Sequence, residues 1–292
     1  MKATSTSKPE FAVHVHAADA NGFLANAFLI ETPRSIVAVD ALMRVSDGRA
    51  LRAKCEAIGK PLAAVLITHG HPDHYNGVTE LLGLGKIRVI ATPRVDEVIR
   101  KCDEAFAARW IPTFGDDWPR ARTFPNELVQ SGDVLEFDGV PFRVEDVGPG
   151  ESHHDSYWIV GRTERAAFIG DMVFGRVHPF VKDGHTAAWL RNLKRMGRDL
   201  AHVPEIYSGH GDALLGPDSF EEQARYLSQY RAVVSRLARG AASLEAEAKA
   251  ELVRTMKEFL RTDRLLDFAL AGADVVAKEL AEEEPRLADS SC

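Results

Sequence analysis

Short runs of aliphatic and β-branched residues alternate with polar segments along the first two thirds of the chain. Runs of this length and composition, bounded by turn-forming residues, predict β-strands. They fall into two sets with helical segments between them, which predicts a sandwich of two sheets covered by helices. The predicted strands cover residues 11–15, 24–31, 35–40, 62–67, 86–91, 134–137, 141–146, 157–161, 166–169 and 205–208.

Apolar residues recur at helical spacing between these strands and after them. Predicted helices cover residues 77–82, 94–108, 242–261 and 264–282, and others begin at Thr186 and Ser219. We therefore divide the chain into a body, residues 1–215, and a helical extension, residues 216–292. The apolar faces of the extension predict that it packs on the body or forms a contact in a homodimer.

The segment from Arg109 to Leu128 interrupts this periodicity, because aromatic residues alternate there with proline and glycine. We predict a long loop over this segment. Two interpretations stay open. Such a loop binds substrate in many proteins, or it is a surface excursion whose aromatic rings cover a small satellite core.

Composition narrows the classes of partner. The chain has 292 residues, of which 45% are hydrophobic and 27% charged, and its formal net charge is −7. This acidic balance argues against a nucleic-acid partner and favours a small-molecule substrate. The first ten residues are polar and no uninterrupted apolar run reaches 18 residues, so we expect a cytoplasmic protein without a membrane span.

The segment Thr68–His74 concentrates three imidazoles and a carboxylate directly after the predicted strand 62–67. Imidazole and carboxylate are ligands for zinc and similar divalent ions. His69 and His71 are two residues apart, so in an extended loop both can face one ion. Asp73 and His74 would then serve a neighbouring ion. The cluster predicts a dinuclear metal site.

The H-x-H-x-D-H pattern after an apolar strand, with Gly77 three residues further on, resembles the metallo-β-lactamase superfamily. The resemblance covers most of residues 11–212 and implies a four-layer αββα sandwich with a dinuclear metal site at one edge. It also implies a bridging carboxylate, for which the strand ending in Gly170-Asp171 provides Asp171. His210, in a Gly-His-Gly loop, matches the last ligand.

The third loop departs from this pattern, because Glu151 stands where most relatives have histidine. Alkylsulfatase-like members of the superfamily also use glutamate there, so Glu151 is the first candidate ligand. A shift of two or three residues would present His153 or His154 instead. We expect two divalent ions, with zinc first and manganese or iron as alternatives, because a carboxylate is a harder ligand than imidazole.

Two ions held by this set would activate a water molecule for attack on an ester, lactone, thioester or related bond. Asp73 is the candidate to take and return the proton. His153, His154, His178 and His185 are candidate substrate contacts, since they lie in loops near the ligands. Two alternatives stay open: a mononuclear iron enzyme like the sulfur dioxygenases, and a non-catalytic metal-binding protein on the same fold.

Overall fold

In the computed structural model, which describes residues 10–83 and 85–289, the first six strands form one sheet in chain order. The first three strands are antiparallel, and the third to sixth are parallel, so the carboxyl ends of the third and fourth meet at one edge. The strands are β1 (Ala12–Ala17), β2 (Asn26–Glu31), β3 (Ile36–Val39), β4 (Leu62–Leu66), β5 (Arg88–Ala91) and β6 (Glu127–Leu128).

The second sheet contains the remaining six described strands, again in chain order. Its strands are antiparallel except for one parallel pair, the fourth and fifth. They are β7 (Val134–Phe137), β8 (Val140–Gly148), β9 (Asp155–Val160), β10 (Ala166–Phe168), β11 (Glu205–Tyr207) and β12 (Leu214–Leu215). Backbone bridges from His69 to Asp155 and from Ala25 to His210 join the two sheets at one edge.

Helices cover the outer faces of both sheets. They are α1 (Val45–Ile58), α2 (Pro72–Tyr75), α3 (Val78–Leu82), α4 (Pro93–Phe114), α5 (Thr186–Asp199), α6 (Ser219–Ala238), α7 (Ala246–Leu260), α8 (Leu266–Ala271) and α9 (Ala273–Asp289). None of the described helices combines the length and apolarity that crossing a membrane requires.

Three apolar clusters separate the layers. The central one lies between the sheets and contains large rings from both, including Phe28, Trp158 and Phe168. A second packs α1, α3 and α4 on the first sheet. The third packs α5 and the C-terminal helices on the second sheet. The predicted four-layer αββα sandwich with extra C-terminal helices is therefore confirmed.

The helical extension shares its core with the body. Trp189 and Leu193 of α5 belong to the same buried cluster as Tyr230 of α6 and Met256 of α7. The indole nitrogen of Trp189 donates to the carbonyl of Met172, 2.9 Å away, which fixes α5 on the sheet. The apolar faces predicted from the sequence thus pack on the body.

Two predicted boundaries are wrong. The loop expected from Arg109 is helical as far as Phe114, because Trp110 and Phe114 pack on each other at 5.7 Å between ring centroids and α4 continues through Pro112. The helix expected over 264–282 is interrupted at Gly272, where an added Cβ would lie 2.3 Å from Cγ2 of Val181. Tertiary contacts decide both boundaries, and local propensity does not show them.

Candidate metal centre

Four of the predicted ligands lie in the connection that follows β4 and in the short helix α2. β4 ends at Leu66, and His71 is the extended residue just before α2, with Pro72 in the first helical position. Proline suits that position because its fixed φ matches a helix and its missing N–H is not needed there. The connection contains His69 and His71, α2 contains Asp73 and His74, and all four side chains are buried.

The third loop follows β8 and is folded by its own polar groups. Ser152 donates both its backbone N–H and its hydroxyl to Asp155, at 3.1 Å each. Gly150 passes so close that an added Cβ would lie 2.9 Å from Oδ2 of Asp155. The turn buries Glu151 fully and places its Oε2 2.9 Å from Nδ1 of His71.

The parallel strands β10 and β11 provide the other two predicted ligands. Asp171 lies in a 3₁₀ turn directly after β10, and His210 follows β11. Oδ2 of Asp171 is 3.0 Å from Nε2 of His210. Gly209 lies next to Asp171, so an added Cβ would be 2.1 Å from Oδ1 of Asp171. Only glycine lets the last loop come this close to the carboxylate.

All seven predicted ligands converge at this edge of the sandwich. Asp171 lies between the other groups, because its oxygens are 3.3 Å from Nε2 of His74 and 3.9 Å from Nε2 of His69. That position suits a carboxylate shared by two ions. Potential ligand atoms within 4.8 Å of one another form three groups: His69 with His71 and Glu151, Asp73 with His74 and His210, and His69 with His74 and Asp171.

Each of the four histidines uses its other ring nitrogen for a polar contact that orients the ring. Metal-binding histidines share this arrangement, because the outer hydrogen bond fixes the tautomer and leaves the inner nitrogen as the ligand. The pairs are His69 Nδ1 with Thr68 Oγ1 at 3.1 Å, His71 Nε2 with Asp183 Oδ2 at 3.0 Å, His74 Nδ1 with Asp40 Oδ2 at 2.8 Å, and His210 Nδ1 with the carbonyl of Phe23 at 2.7 Å.

Burial and mutual charge perturb the whole cluster. Burial lowers the pKa of His71, but the negative charges of Glu151 and Asp183 outweigh burial and hold that pKa well above its ordinary value. Burial and the charge of His74 hold the pKa of His69 well below its ordinary value. Burial raises the pKa of Glu151 to about 8 despite the opposing charge of His71. So many buried ionisable groups are costly without a compensating charge.

Several inner atoms have no hydrogen-bond partner among the residues that the structure describes. They are Nε2 of His69, Nε2 of His74, both carboxylate oxygens of Glu151 and Oδ1 of Asp171, all buried. An unsatisfied buried polar atom costs about 1–3 kcal/mol. Five such atoms in one place are explained if divalent cations occupy the space between them, and mixed imidazole and carboxylate donors suit first-row metals. The residues therefore fit a metal centre.

The centre opens into a cavity with an aromatic wall. His71, Asp73, Glu151, Asp171 and His210 lie at its floor. Its empty volume, including the part open to solvent, is about 440 Å³. Helices α4 and α8 provide much of the wall, whose aromatic residues are Phe23, Phe106, Trp110, Phe180 and Phe268.

Two of the four histidines predicted as substrate contacts belong to the third loop and its surroundings. His153 is half exposed, and its Nδ1 is 2.9 Å from Nε2 of His185. His154 contacts Asp146 instead. Neither side chain joins the ligand groups, so the third loop presents Glu151 to the centre. His153, His154 and His185 are also absent from the residues that line the cavity described above.

His178 lies away from the cavity and connects the body to the helical extension. Its Nδ1 is 2.7 Å from the hydroxyl of Tyr226 in α6, and its Nε2 is 3.1 Å from the carbonyl of Thr262. Both ring nitrogens therefore contact residues of the helical extension, away from the cavity. The structure gives His178 a packing position where we expected a substrate contact.

Three more carboxylates, Asp40, Asp155 and Asp183, lie around the centre, and sequence reasoning missed Asp40 and Asp183. Asp40, directly after β3, accepts the backbone N–H of Thr68 at 2.9 Å besides contacting His74. Asp183 orients His71, and Asp155 holds the third loop. Asp40 could have been found from the sequence. It ends the predicted strand that precedes strand 62–67, and the carboxyl ends of two neighbouring parallel strands lie at the same edge of a sheet.

Comparison with known proteins identifies the family. Residues 20–210, well over half of the chain, match the sequence model of the metallo-beta-lactamase superfamily. The chain belongs to the metallo-β-lactamase superfamily. The resemblance drawn from the sequence is therefore confirmed. The superfamily generally binds divalent metals, and the residue groups described above could hold them.

Curated relatives of this superfamily member are distant. A protein named hydroxyacylglutathione hydrolase from Methylobacterium nodulans is 27% identical over 163 residues, which cover 56% of this chain and 53% of that protein. One of the same name from Rhodopseudomonas palustris (strain BisB5) is 27% identical over 183 residues, covering 63% and 61%. A linear primary-alkylsulfatase from a Pseudomonas species is 36% identical over 69 residues, 22% of this chain and 13% of that protein. The chain thus spans between about an eighth and three fifths of the length of these relatives.

Solved structures of the superfamily share the fold. A metallo-beta-lactamase family protein from Thermus thermophilus superposes with a TM-score of 0.65 at 22% identity, covering 95% of each chain. A beta-lactamase domain protein from Burkholderia ambifaria gives a TM-score of 0.62 at 19% identity, covering 94% of this chain and 87% of the other. Both matches extend well beyond residues 20–210.

Proposed function

We propose that this protein is a metal-dependent hydrolase that cleaves an ester or thioester bond in a small molecule with an apolar portion. One observation carries the proposal: five of the seven metal-ligand side chains form the floor of a cavity whose wall is aromatic. A reacting bond at the floor and an apolar group against the wall would occupy this space together. Apolar walls with a few convergent polar groups are typical of substrate sites.

The ligand groups support two divalent cations. His69, His71 and Glu151 would hold the first, Asp73, His74 and His210 the second, and Asp171 would lie between them. Bound divalent cations supply a lowered pKa for coordinated water and polarise the oxygen of the scissile bond. Glu151 brings the number of carboxylates to three, so the chain contributes one more negative charge than it would with histidine there.

Asp73 is the side chain that we propose for proton transfer. It lines the cavity, and its Oδ2 is 3.2 Å from Nε2 of His210, so the two atoms could hold the same ion. With one carboxylate oxygen on that ion, the other would accept a proton from water and return it to the leaving group. General acid–base transfer by a positioned carboxylate contributes about 10²–10⁴ in rate.

The relatives support acyl transfer to water, since two of them are named as hydrolases of hydroxyacylglutathione. Sulfate-ester hydrolysis is the second candidate. It is favoured by the similarity to a linear primary-alkylsulfatase and by the carboxylate at the third loop, which the alkylsulfatase-like resemblance also implies. An alkyl chain would also fit the aromatic wall.

The test is a substrate panel with defined metal content. The full chain would be reconstituted separately with Zn²⁺, Mn²⁺ and Fe²⁺, and metal content measured. Hydrolysis of a hydroxyacyl thioester of glutathione, an alkyl ester, a lactone, a β-lactam and a linear alkyl sulfate would be followed, with oxygen uptake in parallel. Asp171→Asn, which removes the shared carboxylate charge, serves as the matched inactive control.

We expect hydrolysis of an ester or thioester with about two metal ions bound, and its loss in the Asp171→Asn variant. Cleavage of the alkyl sulfate alone would favour the second candidate function, sulfate-ester hydrolysis. Oxygen consumption with one iron and no hydrolysis would replace hydrolysis by dioxygenase chemistry. Absence of tightly bound metal in the full chain, with unchanged thermal stability after chelation, would favour a non-catalytic protein.

A further inference from the structure

One cation at the rim of the cavity is not used by the metal centre. Arg109, on the cavity side of α4, is among the lining residues. Its guanidinium carbon lies 4.8 Å from the centroid of the neighbouring Trp110 ring, a distance at which the ring attracts the cation. The ring restricts the long side chain, which remains largely exposed to solvent.

The other two arginines of α4 are paired in the usual way for a helix surface. Arg94 contacts Glu97 at 2.7 Å, and Arg100 contacts Asp96 at 2.8 Å. These pairs follow the three- and four-residue spacing of a helix. Positions three and four residues from Arg109 contain no acidic residue, and no described side chain forms an ion pair with it.

A second cation lies nearby. Lys182 follows Phe180 of the aromatic wall by two residues, and none of the described ion pairs includes it. Burial lowers the pKa of Lys182, the positive charge of Arg109 lowers it further, and the negative charge of Asp183 raises it. The adjacent Asp183 is occupied by His71.

Neither Arg109 nor Lys182 has an ion-pair partner among the described residues, so both can receive an anion. The carboxylates of the metal centre lie at the cavity floor and face the ligand histidines. An arginine stacked on an aromatic ring is well suited to a carboxylate or sulfate, since its planar fork is already oriented. A molecule that enters the cavity with an anionic group would supply the opposite charge.

We propose that Arg109 and Lys182 bind an anionic group of the substrate at the rim of the cavity. The substrate would then be amphipathic, with its reacting bond at the metal centre, an apolar portion against the aromatic wall and a carboxylate or similar anion at the rim. The identity of the reacting bond rests on the proposed function. The preference for an anionic molecule rests only on Arg109, Lys182 and the aromatic wall.

Calorimetry with the zinc-reconstituted full chain tests the proposal without requiring hydrolysis. The probes are 4-phenylbutyrate and 4-phenylbutyramide, which share an apolar portion and differ in charge. We expect the carboxylate to bind roughly tenfold more tightly than the amide, as for a charge-assisted hydrogen bond. Arg109→Met, which keeps an apolar stem, should remove most of that preference, Lys182→Met part of it, and Arg109→Lys should retain a reduced preference.

Arg94→Met is the matched control, because it removes an arginine charge from the same helix outside the cavity lining. It should leave both dissociation constants unchanged. No preference for the carboxylate in the wild type, or a preference that survives Arg109→Met because the carboxylate binds the metal ions, would overturn the proposal. A preference that depends on Arg109 in a protein that hydrolyses nothing in the panel would leave the anion site standing and refute the hydrolase assignment.

Discussion

Asp40 offers the sharpest test of how the metal centre is built, because one carboxylate serves two elements. Oδ1 accepts the backbone N–H of Thr68 at 2.9 Å, and Oδ2 accepts the Thr68 hydroxyl and Nδ1 of His74, each at 2.8 Å. A carboxylate can only accept, so His74 must have its proton on Nδ1. In the neutral imidazole that a metal ion requires, its Nε2 then offers the lone pair towards Asp171 and the centre.

Asp40→Asn keeps the shape but replaces one acceptor by a donor. If the amide oxygen stays on the Thr68 N–H, the NH₂ group faces Nδ1 of His74, which must become an acceptor. The proton then moves to Nε2, and His74 can bind metal only after it returns to the disfavoured Nδ1 tautomer. If the amide is reversed, its NH₂ group opposes the Thr68 N–H and leaves a buried donor unsatisfied. Either outcome costs about 1–3 kcal/mol.

A cost of this size corresponds to roughly tenfold to one hundredfold weaker binding at the ion held by His74, at 1.4 kcal/mol per factor of ten. Competition titration with a chromophoric chelator measures both binding constants, and nitrogen NMR reports the His74 tautomer. We expect one constant to fall while the other changes little.

Asp138→Asn is the control variant. Asp138, like Asp40, has a positive φ and accepts hydrogen bonds from a threonine hydroxyl and a backbone N–H, but it lies in the turn between β7 and β8. Its replacement should lower stability without changing metal affinity. Two unchanged binding constants for Asp40→Asn, with the wild-type tautomer of His74, would refute the reasoning.

Three further predictions use other parts of the structure. Removing metal with a chelator should lower the melting temperature in calorimetry, because the buried carboxylates and imidazoles lose their compensating charge; an unchanged melting temperature would contradict a metal-filled centre. Phe268→Ala should raise KM for an apolar substrate severalfold with little change in kcat, since Phe268 lines the wall; an equal effect on a small polar ester would speak against a wall contact. Trp189→Phe should lower the free energy of unfolding in urea by about 1–3 kcal/mol, by leaving the Met172 carbonyl without its donor; a change below about 0.5 kcal/mol would mean that water replaces the indole.

The sequence predicts the fold and most of the centre because their signals are local. Three imidazoles and a carboxylate directly after a predicted strand indicate a metal site from the sequence alone. The pair Gly170-Asp171 at the end of another predicted strand indicates a further candidate ligand. These ligands sit directly after strands whose burial is readable from composition. The sandwich follows from the two sets of strands, and its edge is where the ligand loops meet.

The third loop shows what a sequence cannot fix. Glu151, His153 and His154 lie within four residues, and each carries a ligand group. The choice among them depends on a turn in which Ser152 donates to Asp155, and on the close passage of Gly150. Those contacts depend on how the loop folds, and the residue types alone do not show which side chain faces the centre. The sequence therefore left three candidate ligands.

The remaining differences also come from contacts across the chain. Phe114 belongs to α4 because its ring has neighbours in Trp110 and Trp118, at 5.7 and 6.3 Å between centroids, although Pro112 indicated a break. The outer partners of the ligand histidines, such as Asp183 more than one hundred residues from His71, are equally invisible to local patterns. Sequence reasoning therefore selected side chains that the structure brings together and missed the residues that orient them.

The proposed chemistry and the proposed selectivity would come from different layers of the molecule. The ligands lie on loops at the edge of the two sheets, where backbone bridges such as His69 to Asp155 hold them rigidly. Arg109 and Phe268 instead come from α4 and α8, on the outside of the sandwich. Helical side chains can change without disturbing the ligand loops. Substitutions at Arg109 or Phe268 should therefore alter which substrate binds and leave metal content unchanged, whereas substitutions at Asp40 should do the reverse.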